Sequence, residues 1–191
     1  GNEVLPRRRA AEVRGEHDTG PRSVRLDGAE GGIGEGLAGG CQEELGGKIR
    51  IGGEAEVESD PVRGTVTIIY QKVGYTTKRL DSLNEGDSIL DFVGPLGVAS
   101  HLGGMKKVAV IGGGLGVAIA YPQAKALHDM GAEVDVIVGF RNTDLMILMD
   151  ELKAASTNLY VMTDDGSNGH KGFVTTALEE QLKAGKTYDH V

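Results

Sequence analysis

The chain has 191 residues, enough for one good core or two small ones, since domains most often run to roughly 100–150 residues. A net charge of -8 argues against a surface that tracks nucleic-acid phosphates. The lone cysteine, Cys41, excludes an internal disulfide and cannot alone supply a four-thiolate metal site, which fits the reducing cytoplasm.

From the N-terminus to residue 54 the sequence is Gly, Arg and Glu with scattered aliphatic residues, and no aromatic residue precedes Tyr70. Such a segment buries too little apolar surface to offset its ordering entropy, so residues 1–54 are expected to be disordered or non-native. From Thr65 the text changes: Val66, Ile68 and Tyr70 alternate with Thr65, Thr67 and Gln71, as in a half-buried strand. A glycine-containing turn, Val73-Gly74-Tyr75-Thr76-Thr77, follows, and after Gly86-Asp87 a second strand is predicted over Ser88–Val93.

Beyond Gly103-Gly104 strands and helices alternate, which implies a parallel sheet with crossover helices. The predicted order is strand Lys107–Ile111, helix Val117–Met130 closed by Gly131, and strand Glu133–Gly139. Next come a helix beginning at Asn142 or Thr143 with Leu145, Leu148, Met149 and Leu152 as its core stripe, and strand Asn158–Thr163. Helix Val174–Ala184 is stopped by Gly185, and Tyr188–Val191 opens a fourth strand. The longest apolar stretch, Val108 to Tyr121, is broken by glycines and is shorter than the roughly 20 residues of a membrane helix, so no membrane span is expected. The domains are read as 1–54, 55–102 and 103–191.

The strongest local signal is Ile111-Gly112-Gly113-Gly114-Leu115-Gly116-Val117, a glycine turn joining a buried strand to a helix. Glycines let the backbone approach a pyrophosphate, and the unpaired amides at the positive end of the helix dipole attract its charge. The spacing misses G-x-G-x-x-G because Val117 stands at the third glycine position, and no Walker lysine follows. A tight turn without a ligand is the competing reading. Open α/β sheets bind ligands beyond the carboxyl ends of their strands, which here are Gly139-Phe140-Arg141 and Thr163-Asp164-Asp165-Gly166-Ser167. An acid there accepts from ribose hydroxyls and repels a 2′-phosphate, favouring NADH over NADPH; Arg141 pulls the other way. Asp164-Asp165-Gly166 also reads as an ordinary solvated turn.

Several motifs in order resemble the ferredoxin-NADP reductase superfamily. They are Thr65 to Gly74, Thr76-Thr77, Gly86 to Gly97 including Gly94-Pro95-Leu96-Gly97, Ile111 to Val117, Gly139-Phe140-Arg141, and Asp164 through Gly172. More narrowly, they are similar to the electron-transfer subunits of dihydroorotate dehydrogenase and the small subunit of NADH-dependent reduced ferredoxin:NADP oxidoreductase, or sulfide dehydrogenase. The resemblance implies an α/β fold: a parallel-sheet, ferredoxin-reductase-like NAD-binding domain preceded by an incomplete, antiparallel flavin-binding β-barrel. It implies FAD flanked by Ile69, Tyr70 and Gln71, with its diphosphate at Gly74, Thr76 and Thr77. Thr76 stands where the family usually has glycine. It implies NAD(H), with NADP(H) less favoured, held by Gly112, Gly113, Gly114, Gly116 and Val117, with Phe140, Arg141 and Asp164 about the ribose. No catalytic acid, base or metal ligand is required, since hydride passes between the cofactors. The resemblance further implies that electrons pass on to an iron-sulfur partner or ferredoxin and that a larger catalytic subunit completes a hetero-oligomer.

Two family features are not found in this chain: a first flavin motif before Thr65 and the cysteine cluster of a 2Fe-2S centre. The expectation is therefore a fragment, with the first fifty or so residues out of frame and little or no FAD bound. The alternative function is a non-redox Rossmann-like NAD(H)-binding module or sensor, for which Glu133 or Asp135, about twenty residues after the glycine turn, would serve as the ribose acid. Both stand early in their strand and are read as surface or strand-start residues. A dehydrogenase with its own substrate needs an acid/base beside the cofactor, and His101, His128 and His170 are scattered.

Overall fold

The computed structural model describes residues 4–5, 8–14, 21–27, 55–60, 65–84, 87–89, 92–93 and 100–191. Cys41, Gly86 and residues 94–97, noted above, lie outside the described residues. The chain divides into two compact units, Gly1–Ser100 and His101–Val191.

In the first unit five strands form an antiparallel sheet: β2 (Arg8–Arg14), β3 (Pro21–Asp27), β4 (Ala55–Asp60), β5 (Thr65–Gln71) and β6 (Ser88–Ile89), in the order β4-β5-β3-β2-β6. A second pair joins β1 (Val4–Leu5) to β7 (Phe92–Val93). Strand β5 lies between β4 and β3 and pairs antiparallel with β3, Val24 opposite Ile68. Two expectations change here. Strands β1, β2 and β3 lie inside residues 1–54, where none was expected; an irregularity between Ala10 and Glu12 shifts the register of β2 against β3 and interrupts its two-residue alternation. The single strand expected over Ser88–Val93 is two, because Ser88–Ile89 pairs with β2 and Phe92–Val93 with β1.

The turn after β5 is helical. Helix α1 (Tyr75–Asp81) starts after Gly74 and buries Thr77 and Leu80. Asp81, at its end, receives Lys72 Nζ at 2.7 Å and the Tyr70 hydroxyl at 3.4 Å, so strand end and helix end are tied to one carboxylate.

The second unit is a three-stranded parallel sheet, β8 (Lys107–Gly113), β9 (Glu133–Phe140) and β10 (Asn158–Thr163), in the order β10-β9-β8. Helices α2 (Gly116–Asp129), α3 (Met149–Ala154) and α4 (Val174–Lys183) connect and cover it. Central strand β9 is covered on both faces: Val134, Val136 and Val138 are fully buried on one, while Ile137 on the other packs with Met162 of β10 and with Ala177 and Val174 of α4. Helix α2 ends as expected at Gly131, in left-handed backbone at φ 86°, with Ala132 N donating to Leu127 O at 3.0 Å. Two glycines mark close approaches. A Cβ on Gly112 would lie 3.0 Å from Val117 Cα, and one on Gly139 would lie 2.8 Å from Val174 Cγ1.

The helix expected from Asn142 is instead a 3-10 turn, Thr143–Leu145, followed by α3 from Met149. Leu148, in left-handed backbone at φ 56°, breaks the run, so of the predicted stripe only Leu152 is fully buried. The fourth strand expected over Tyr188–Val191 is a single parallel bridge, Val108 to His190, supported by Asp189 N to Lys107 O at 2.8 Å and Ala109 N to His190 O at 3.1 Å.

That last segment is also pinned by side chains. Asp135 is 1% exposed, and its carboxylate receives Lys186 Nζ, the Tyr188 hydroxyl at 2.7 Å and Asn158 Nδ2 at 2.7 Å. Burial alone pushes the Asp135 carboxyl up, but the bonds from Lys186, Asn158 and Tyr188 outweigh it and hold the group below the usual carboxylate range. Since the folded value is depressed, the stabilisation is complete above the unfolded value of about 3.9 and is lost as pH falls through the lower folded value. In thermal unfolding across pH, the advantage of the wild type over Asp135→Asn should be constant near neutrality and shrink below about pH 4. A second test concerns Gly139. Gly139→Ala should cost about 1–3 kcal/mol in denaturant unfolding, and adding Val174→Ala should recover part of it by removing the methyl that clashes.

Candidate functional site

The glycines of the turn have separate tasks. Gly112 lets α2 pack on β8, whereas a Cβ on Gly113, Gly114 or Gly116 would meet nothing within 4 Å, so these three line open space. Gly114 takes left-handed backbone at φ 53° and donates its N–H to Gly139 O at 2.8 Å, fastening the turn to the neighbouring strand. Val117 N and Ala118 N donate back to Gly114 O and Leu115 O at 3.2 and 3.0 Å. That leaves the amides of Leu115 and Gly116 with no acceptor among the described residues. No side chain caps α2 and no acid stands in its first turn, so its positive end is uncovered. Two amides without an acceptor among the described residues, a 14-residue helix dipole and open space beside three glycines suit a pyrophosphate.

The loops after β9 and β10 are zipped together beside this turn. Asp164 N donates to Phe140 O at 3.0 Å, Asp165 N to Arg141 O at 3.3 Å, and Thr143 N to Ser167 Oγ at 3.0 Å. Phe140 is buried, so its part in a site is to present its backbone. Arg141 and Asp164 are exposed, and among the described residues neither side chain has a hydrogen-bond or ion-pair partner. Asp165 is spent locally: its carboxylate accepts Ser167 N at 2.9 Å, and the side-chain and backbone bonds from Ser167 hold it below the usual range.

Two residues at this rim were missed. Phe173 is 67% exposed directly before α4, next to Val174, which abuts Gly139. Its backbone follows Gly172 at φ 153°, where a Cβ would also meet Met162 Cε at 3.0 Å, and its carbonyl accepts Thr176 N and Ala177 N. An exposed ring on a fixed backbone is a stacking platform. Its sequence signal was an aromatic lying outside the Val174, Ala177, Leu178 stripe. The second is Asn168, whose side chain crosses the neck of the β10–α4 loop.

The bridge from Val108 to His190 places the segment after α4 on the edge of β8 opposite β9. The chain direction across the sheet thus reverses at β8, and such reversal points are where open α/β sheets hold ligands. The acids weighed for a sensor are engaged elsewhere: Asp135 is buried against Lys186, and Glu133 pairs with Lys107 at 3.6 Å.

In the first unit Ile69 and Tyr70 are buried and Gln71 is exposed. Thr77 Oγ1 accepts Val73 N at 3.1 Å and Gly74 N at 2.9 Å and donates to Gly74 O at 3.2 Å, so its hydroxyl shapes the turn rather than facing outward. Thr76 is half-buried, and Tyr75 is 82% exposed. Among the described residues no group of three or more His, Cys, Asp or Glu side chains is placed to hold a metal, and no helix is long and apolar enough to cross a membrane.

The three-stranded parallel sheet with its helices fits a ferredoxin-reductase-like NAD-binding fold, and comparison with solved structures agrees. The chain resembles NADH-dependent reduced ferredoxin-NADP oxidoreductase with a TM-score of 0.69 and 29% identity, over 95% of this chain and 63% of that one. The ferredoxin reductase of carbazole 1,9a-dioxygenase shares the fold at a TM-score of 0.66 and 19% identity, over 95% of this chain and 57% of that one. No family model matches the chain. Sequence relatives are more specific: the Thermotoga maritima homolog of the dihydroorotate dehydrogenase B (NAD(+)) electron transfer subunit is 42% identical over 68% of this chain and 45% of its own length. The Fusobacterium nucleatum electron transfer subunit is 37% identical over 64% and 48%, and an uncharacterized Clostridium beijerinckii protein is 48% identical over 69% and 47%. The chain spans about half the length of these curated relatives. The resemblance drawn from the motifs therefore holds.

Thr77 offers a local test. Thr77→Val strips two amides of their acceptor and should cost about 1–2 kcal/mol, while Thr77→Ser should restore most of it, as read by denaturant unfolding.

Proposed function

We propose that the chain is the electron-transfer part of an NAD(P)H-dependent FAD oxidoreductase, passing electrons from NADH through FAD to an iron-sulfur partner or ferredoxin within a larger hetero-oligomer. The observation that carries this is the pair of open amides, Leu115 and Gly116, at the same strand ends as the unpaired Arg141 and Asp164.

In this reading Gly113, Gly114 and Gly116 leave room for the pyrophosphate, and Leu115 N and Gly116 N bind it. Asp164 accepts from the ribose hydroxyls and disfavours a 2′-phosphate, while Arg141 neutralises part of the ligand's charge. The Phe173 ring supports the adenine base. In the first unit Ile69, Tyr70 and Gln71 border the flavin, and Gly74, Thr76 and Thr77 form its diphosphate turn; the motif order shared with the family supports this assignment. Tyr70 and Thr77 act there through the backbone they hold, given their burial. When bound, nicotinamide and flavin supply the redox chemistry, hydride passing from one to the other. The protein's residues bind, orient and select.

Calorimetric titration of the full chain tests the reading. NADH should bind about tenfold more tightly than NADPH, a difference of about 1.4 kcal/mol, and Asp164→Asn should narrow the gap. A Cβ at Gly116 meets no neighbour, so Gly116→Val, which crowds the space over the helix mouth, should change the unfolding temperature little and weaken NADH more than about tenfold. Absence of NADH binding by the wild type, or unaltered affinity in Gly116→Val, would contradict the assignment.

A further inference from the structure

We infer that Asn168 is the positioning residue that sets the choice between NADH and NADPH, an inference that rests on the nucleotide-binding reading above. The loop from Thr163 to Gly172 leaves β10 and returns to the same point, with Thr163 N donating to His170 O at 2.9 Å and Gly172 N to Thr163 O at 3.1 Å. Asn168 closes this neck from inside. Its Oδ1 accepts the Thr163 hydroxyl at 2.8 Å and His170 N at 2.9 Å, and its Nδ2 donates to Val161 O at 2.9 Å. One side chain thereby joins the strand before the loop to the segment after it, and the Thr163 partner is fully buried.

The neck decides where the tip lies. Asp164 to Ser167 is laced to Phe140, Arg141 and Thr143 by the three bonds described above, which brings two opposite, unpaired charges onto adjoining backbones. A carboxylate offered to the ribose selects a hydroxyl, whereas a guanidinium offered to it selects a phosphate. With the tip fixed, Asp164 is held by its backbone at the strand end next to Arg141, where its charge opposes the pull of Arg141 on a phosphate. A loosened neck lets Asp164 withdraw, while Arg141, on the end of β9, stays in place. Cofactor preference is thus controlled by an amide that touches neither cofactor.

The test uses the full chain, with NADH and NADPH titrated separately by calorimetry. Asn168→Ala should weaken NADH about tenfold while changing NADPH less than about twofold, collapsing the preference. Thr163→Val, which removes only the hydroxyl that Asn168 accepts, should move the ratio in the same direction by less, and covers the case in which the first variant does not fold. Combining the two should add less than the sum of the single effects, since both variants break the same bond from the Thr163 hydroxyl to Asn168. A purely structural role would weaken both nucleotides equally. Equal losses, or an unchanged ratio in both variants, would overturn the inference while leaving the binding site intact. If the wild type bound neither nucleotide, the underlying reading would fall and this one with it.

Discussion

The bond from Gly114 N to Gly139 O, at 2.8 Å, is the constraint on which the candidate site depends. It uses one amide of the glycine turn to lock that turn to the central strand, and the next two amides, Leu115 and Gly116, have no acceptor among the described residues at the helix mouth. The same strand end is reached from the other face of the sheet, where Val174 fills the space that a side chain on Gly139 would occupy. A glycine at 139 therefore serves two masters: its carbonyl holds the turn, and its missing Cβ admits α4 and with it Phe173.

Polar groups are divided between the two ends of this small sheet. At the amino-terminal edge Asp135, Lys186, Tyr188, Tyr160 and Asn158 satisfy one another in a partly buried network that anchors the segment after α4. At the carboxyl edge the side chains of Arg141 and Asp164 and two amides have no partner among the described residues. Buried polar groups are normally paired, and here the paired set secures the framework while the unpaired set is exposed where a ligand would meet it. This division also engages both acids of the sensor reading, Asp135 within the framework and Glu133 with Lys107.

Much of the second unit was legible in the sequence. The three parallel strands are continuous apolar runs, and the helix stops at Gly131 and Gly185 follow from the left-handed backbone that glycine accepts. The extra break in the third connection was not legible, because it depends on Leu148 adopting a backbone that a leucine rarely takes, and nothing in its neighbours' identity announces it. Strands β2 and β3 were obscured by an irregular register and a shortage of apolar residues. The helix after Gly74 was obscured because Thr76 and Thr77 are ordinary turn residues whose role emerges only when Thr77 folds back on Gly74. Phe173 and Asn168 were missed for a related reason. Each is unremarkable in its own segment, and its importance comes from what the fold brings against it.

The central claim, that backbone amides at the mouth of α2 grip a pyrophosphate, is open to direct observation by amide nuclear magnetic resonance. During titration of the full chain with NADH, the account predicts large downfield shifts of the Leu115 and Gly116 amide protons as they gain an anionic acceptor, with Gly114 changing little because it already has one. Saturating NADH that left Leu115 and Gly116 unmoved while perturbing amides elsewhere would contradict it.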